Sequence, residues 1–157
     1  MTYADTSFLA SAYGQDVNSG IARDYLDREA PRLPFAFLHW PEAAKALWTG
    51  KSEEAERIWA EIERDISDGQ KLYLPDLDAD VVARRAAGMM KHFCPEWKKL
   101  RSLDTLHVSA AVTGHFRTFL SFDTGSFQRV LAHTQKLSVW PPLTAVEAKH
   151  LSASQAG

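Results

Sequence analysis

Short apolar runs that stop at or beside an acid alternate, along this chain, with longer stretches of helical periodicity. Residues 1–4 run into Asp5, residues 34–40 (PFAFLHW) into Pro41 and Glu42, and residues 118–122 (TFLSF) into Asp123. Apolar runs this short, bounded by turn formers, predict buried strands. Residues 72–74 and 137–140 predict two more. Between them, residues 53–68 repeat Ala55, Ile58, Trp59, Ile62 and Ile66 at spacings of three and four, the stripe of an amphipathic helix. Residues 18–30, 81–93, 103–113 and 126–133 also predict helices, as do the residues after Ser7 and those around Glu42, where Gly50 and Ser52 break the pattern. Strands alternating with helices give a mainly parallel sheet covered on both faces, an α/β fold in which ligands bind beyond the carboxyl ends of the strands.

At 157 residues, with 45% hydrophobic and 24% charged, the chain is expected to close one core by itself. That domain is expected over residues 1–146, with 147–157 as a tail without strong pattern. The single cysteine, Cys94, has no partner for a disulfide or a zinc site, which points to a reducing compartment, the cytoplasm. The opening MTYADTSFLA lacks a basic start and an apolar core, and no stretch approaches the ~18 apolar residues of a membrane span. Neither secretion nor a membrane is expected.

Net charge is −2, but its halves differ in sign. Residues 1–80 hold 16 acids against 8 Lys and Arg, and residues 81–157 hold 4 against 10. Arg84, Arg85, Lys91, Lys98, Lys99 and Arg101 face one acid, Glu96, within residues 84–101, a density that suits either a phosphate track or a solvated face.

Asp5, Glu42 and Asp123 each follow an apolar run, and Asp104 opens the helix of residues 103–113, so all four carboxylates are expected at one rim. Each acid alone reads as a helix cap or first-turn residue. Together they repel unless cations join them, and hard oxygen donors select Mg²⁺ or Mn²⁺. Asp76, Asp78 and Asp80 imitate the start of a calcium loop, but Val81 and Ala87 stand where that loop needs Gly and Glu, so these acids favour the next helix instead. His107, one turn after Asp104, is expected as a hydrogen-bonded histidine at the core edge. His92 and Cys94 lack companions for zinc, and the five tryptophans are expected in the core or at a partner surface.

These residues resemble those of PIN-domain ribonucleases. The resemblance is carried by Tyr3-Ala4-Asp5-Thr6-Ser7, by Glu42 in an alanine-rich helix, by Leu103-Asp104-x-x-His107-x-x-Ala110, and by Leu120-Ser121-Phe122-Asp123-x-x-x-Phe127. It spans about residues 2–139 and implies a PIN-like α/β/α sandwich. It further implies hydrolysis of RNA phosphodiester bonds with Asp5, Glu42, Asp104 and Asp123 as metal ligands. On this reading Thr6 and Ser7 bond those ligands or their waters, and Lys98, Lys99 and Arg101 hold the RNA backbone. Single-domain members of this size imply a toxin restrained by a protein antitoxin; a homodimer is left open. The rival reading is a noncatalytic PIN-like module that binds RNA or protein.

Overall fold

In the computed structural model, which describes residues 1–50 and 53–155, the chain opens as strand β1 (Thr2–Ala4). Helices α1 (Thr6–Tyr13) and α2 (Ser19–Glu29) follow, then β2 (Leu33–Pro34), α3 (His39–Thr49), α4 (Ala55–Asp68) and β3 (Leu72–Tyr73). The second half runs α5 (Ala79–Phe93), α6 (Ser102–Thr113), β4 (Thr118–Leu120), α7 (Gln128–Thr134), β5 (Ser138–Trp140) and α8 (Ala145–Gln155). β1 pairs with β4 and β4 with β5, all parallel, and β2 pairs with β3, also parallel. This is the α/β architecture with a central parallel sheet that the alternation predicts.

Strand alternation sends successive side chains to opposite faces, each covered by its own core. Tyr3 and Phe119 stack at 5.8 Å between ring centroids in the cluster that holds Val82, Val108 and Leu131. Their neighbours Ala4 and Leu120 enter the other cluster, with Phe8, Phe35, Ile58 and Ile62. α6 is buried almost all round, which explains its small residues: the Ser109 hydroxyl bonds the Val82 carbonyl of α5 at 2.6 Å, and Ala110 and Ala111 let the two helices approach.

The expected strand over residues 34–40 is shorter than its apolar run. β2 ends at Pro34, and α3 already begins at His39. The run stays apolar because Phe35, Ala36 and Leu38 are buried in the turn between the two elements, a burial that periodicity cannot tell from a strand. α3 stops at Thr49 with Gly50 as its cap, as expected; the break expected at Ser52 lies outside the described residues. The residues after Glu147, which show no strong pattern, form most of α8, and Glu147 itself is buried.

β1 and β2 lie side by side without pairing, and the fully buried His39 ring spans them. The Ala36 N–H donates to Nδ1 at 2.8 Å, so Nε2 carries the hydrogen and donates to the Ala4 carbonyl at 2.8 Å. Burial, and then the charge of His107, push the His39 pKa down from 6.5 to about 3. The unfolded chain takes up this proton below about 6.5 and the folded one does not. Stability is therefore complete above that value and is lost as pH falls toward about 3. The expected slope is at most one proton, about 1.4 kcal/mol per pH unit. Urea denaturation across this window should show a flatter slope in His39→Gln than in the wild type; equal slopes would place the acid sensitivity elsewhere.

Candidate functional site

The four acids do stand at the carboxyl-terminal edge of the sheet, each held differently. Asp5 leaves β1 and caps α1: its Oδ1 accepts from the Phe8 N–H at 2.9 Å and the Ser7 hydroxyl at 2.7 Å, and its Oδ2 accepts from the Ser121 hydroxyl at 2.6 Å. The cap and the site are thus one residue. Burial raises the Asp5 pKa; the charge of His107 and the bonds from Ser121, Ser7 and Phe8 oppose that rise without cancelling it.

Glu42 sits in the first turn of α3 and accepts from the Thr6 hydroxyl at 2.8 Å and from His107 Nε2. Burial pushes the Glu42 pKa up, but the bond from His107, its charge and the Thr6 hydroxyl outweigh burial and hold it below the ordinary value. His107 is 1% exposed, with Tyr3 Oη 2.8 Å from its Nδ1. Burial, then the charges of Asp5 and Glu42, push the Tyr3 pKa well above its ordinary value, so the hydroxyl keeps its proton. His107 is therefore both the hydrogen-bonded core histidine that the sequence suggests and a direct contact of a candidate acid.

Arg101 occupies a place that sequence reasoning did not anticipate. Expected on the substrate backbone beside Lys98 and Lys99, it stays exposed and joins two acids: Nε donates to Asp104 Oδ2 at 2.8 Å and Nη2 to Asp123 Oδ2 at 2.8 Å. Asp123 also accepts from the Gly125 N–H at 3.1 Å and the Ser126 hydroxyl at 3.2 Å. The cation that relieves repulsion between these carboxylates is thus part of the chain. Lys98 and Lys99 instead line a shallow groove of about 430 Å³ with residues 124–127, on the Asp123 turn.

Ser121 was missed as well, and it is the junction of the network. Its hydroxyl bonds Asp5 at 2.6 Å and Gln128 Oε1 at 3.1 Å, and it accepts from the Asp123 N–H at 3.1 Å. The available signal was a hydroxyl inside an apolar strand run, two residues before an acid. Hydrogen bonds and short chain links thereby connect all four acids: Glu42 to Thr6, Asp5 to Ser121, Asp123 through Arg101 to Asp104.

Beside them opens a cleft of about 740 Å³ lined by Thr6, Ser7, Glu42, Lys45, Arg101 and Asp104, among others. Asp5 is not among its lining residues, being covered by Ser7 and Ser121, and Asp123 is tied to it through Arg101. Carboxylates are the right donors for a hard cation. Their arrangement is not right for one as they stand. Among the described residues no three His, Cys, Asp or Glu side chains come together to hold a metal ion, and a guanidinium occupies Asp104 and Asp123.

No protein-family model matches the sequence, and no curated protein matches it. Solved structures do. A chain in the crystal structure of FitAcB from Neisseria gonorrhoeae superposes with a TM-score of 0.60 at 16% identity, covering 90% of this chain and 98% of that one. VapBC2 from Rickettsia felis, bound to a DNA fragment from their promoter, matches with a TM-score of 0.59 at 14% identity, over 88% and 97% of the two chains. FitAB bound to an IR36 DNA fragment gives 0.59 at 14%, over 89% and 94%. The chain shares their fold. With it stands the expected PIN-like arrangement of helices around a central parallel sheet.

Proposed function

We propose that this chain is an endoribonuclease, the toxin of a toxin–antitoxin pair, acting at the cleft beside Glu42 and Asp104. The observation that carries the reading is the single network that holds four carboxylates at the functional edge of a parallel sheet, next to an open cleft. The toxin assignment rests on the resemblance of the sequence to PIN domains, and the fold likeness to FitAcB, VapBC2 and FitAB supports it. In hydrolysis a water oxygen attacks the phosphorus, a P–O bond breaks, the water's proton passes to a base and the leaving oxygen takes up a proton. Glu42, held as a carboxylate by His107 and Thr6, is the base we assign. Mg²⁺ or Mn²⁺ is the expected cofactor; for an ion to join Asp104 and Asp123, Arg101 has to leave at least one of them.

The test is a gel assay of the purified chain on single-stranded and structured RNAs with Mn²⁺, Mg²⁺ or EDTA, with Asp104→Asn in parallel. Products from the wild type with an ion, and from neither the variant nor the EDTA lane, are expected. Equal cutting by the variant, or none by the wild type on any RNA, would overturn the reading. The hold of Arg101 on two acids favours one rival, a noncatalytic RNA-binding module, which binding without cutting in this assay would establish.

For the antitoxin we propose a segment laid across α3 and α4, where Trp48 stays 41% exposed with its ring 5.5 Å from that of Trp59. Co-expression with the neighbouring reading frame is the check: relief of growth inhibition and a copurifying partner are expected. No helix among the described residues is long and apolar enough to cross a membrane.

A further inference from the structure

Two cations line the cleft, and their states differ. The Arg101 guanidinium is committed to Asp104 and Asp123 at 2.8 Å each. Lys45 stands on α3 one turn after Glu42, exposed, and makes no ion pair among the described residues. Glu42, its neighbour at that spacing, accepts from His107 and Thr6 through Oε2 and makes no ion pair with it.

A phosphodiester entering this cleft meets Glu42 and Asp104 in the lining and Asp5 and Asp123 behind them, with one guanidinium already neutralised in part. Like charges repel at these separations, so an approaching phosphate needs a cation that is not already paired. Lysine suits this role, with a compact charge on a flexible stem. Thr49 of α3 and Ser102 of α6 add hydroxyls to the lining for the same anion.

We propose that Lys45 binds a phosphate of the RNA strand in the cleft and positions it beside Glu42 and Asp104. This rests on the reading above that the chain acts on RNA. Lys45 lies outside the basic segment of residues 84–101, so charge density along the sequence does not disclose it. α3 brings it into the cleft that α6 lines with Asp104, so the strand is held beside the acids rather than only along the groove of Lys98 and Lys99.

The experiment is fluorescence anisotropy with a labelled single-stranded RNA of mixed sequence, in EDTA, across a salt series, with a gel confirming that the strand stays intact. Lys45→Gln is expected to weaken binding and to make the plot of log K against log salt shallower by about 0.7, one phosphate's worth for a single strand. Lys45→Arg should restore the slope. Lys71→Gln, which removes one positive charge beside Asp65 at a separate cleft, should leave it unchanged. On an RNA that is cut, Lys45→Gln should raise KM more than it lowers kcat. A wild-type slope in Lys45→Gln, or an equal loss in Lys71→Gln, overturns the assignment while leaving the nuclease reading intact. A wild type that neither binds nor cuts any RNA removes both.

Discussion

Arg129→Ala is expected to cost about 3–5 kcal/mol of stability, the range for removing one member of a buried ion pair. Arg129 is 1% exposed. Its Nε meets Glu147 Oε1 at 2.9 Å, its Nη1 donates to the Ser121 carbonyl, and its Nη2 donates to the carbonyls of Pro141 at 2.8 Å and Pro142 at 2.9 Å. Glu147 in turn accepts the Thr144 N–H at 2.7 Å, which starts α8. Truncation leaves a buried carboxylate without its counter-charge and takes a donor from three carbonyls, and α8 loses its fastening. At about 2–4 °C per kcal/mol for a chain of this size, the melting temperature should fall by roughly 6–20 °C. The double variant Arg129→Met with Glu147→Leu should recover much of that loss, because it strands no charge. A loss below about 1 kcal/mol in the single variant would mean that the pair is not desolvated in solution.

The second large effect is on activity. Asp5→Asn, Asp104→Asn and Asp123→Asn are each expected to lower RNA cleavage by about two to four orders of magnitude while leaving circular dichroism unchanged, and Glu42→Gln to do the same. Asparagine keeps the shape, and at Asp5 it keeps an oxygen to cap α1 through the Phe8 N–H. The same variants also read the charge balance of the site. Four carboxylates with no cation would strain the fold, so that losing one would raise the melting temperature. With Arg101 bridging Asp104 and Asp123, Asp104→Asn is expected instead to lower it slightly, since it removes one arm of a partly exposed pair. Wild-type cleavage in all four variants would end the catalytic assignment.

How much of this was legible in the chain depended on which forces acted locally. α4 carries its apolar stripe in its own residues, and Asp78 caps α5 through the N–H groups of Asp80 and Val81, so both elements were readable. That Asp5 and Asp123 come just after strands was readable too, because an acid cannot continue a buried apolar run without a partner, whereas Glu42 follows a buried turn and not a strand. Their partners were not. Arg101 reaches Asp104 across a single helical turn but Asp123 only across 22 positions, and Ser121 meets Asp5 across 116. Such pairs exist only once the sheet has formed. α8 was hidden for a similar reason: its anchor is an ion pair with α7 rather than an apolar face of its own.

The pairing of β1 with β4 also governs when during synthesis the site can exist. Thr2 pairs with Thr118, and Asp5 takes a hydroxyl donor from Ser121, so β1 waits for residues made 116 positions later. Closing so long a loop costs entropy before any contact returns it, and central strands paired at such separations fold slowly. A nascent chain that has not passed Ser121 can hold Glu42 on Thr6 but has neither the Asp5 lock nor the Arg101 bridge. The full acidic network therefore closes only after Ser121 has been made and has joined Asp5. On the nuclease reading proposed above, a chain stopped before that point is expected to leave RNA uncut.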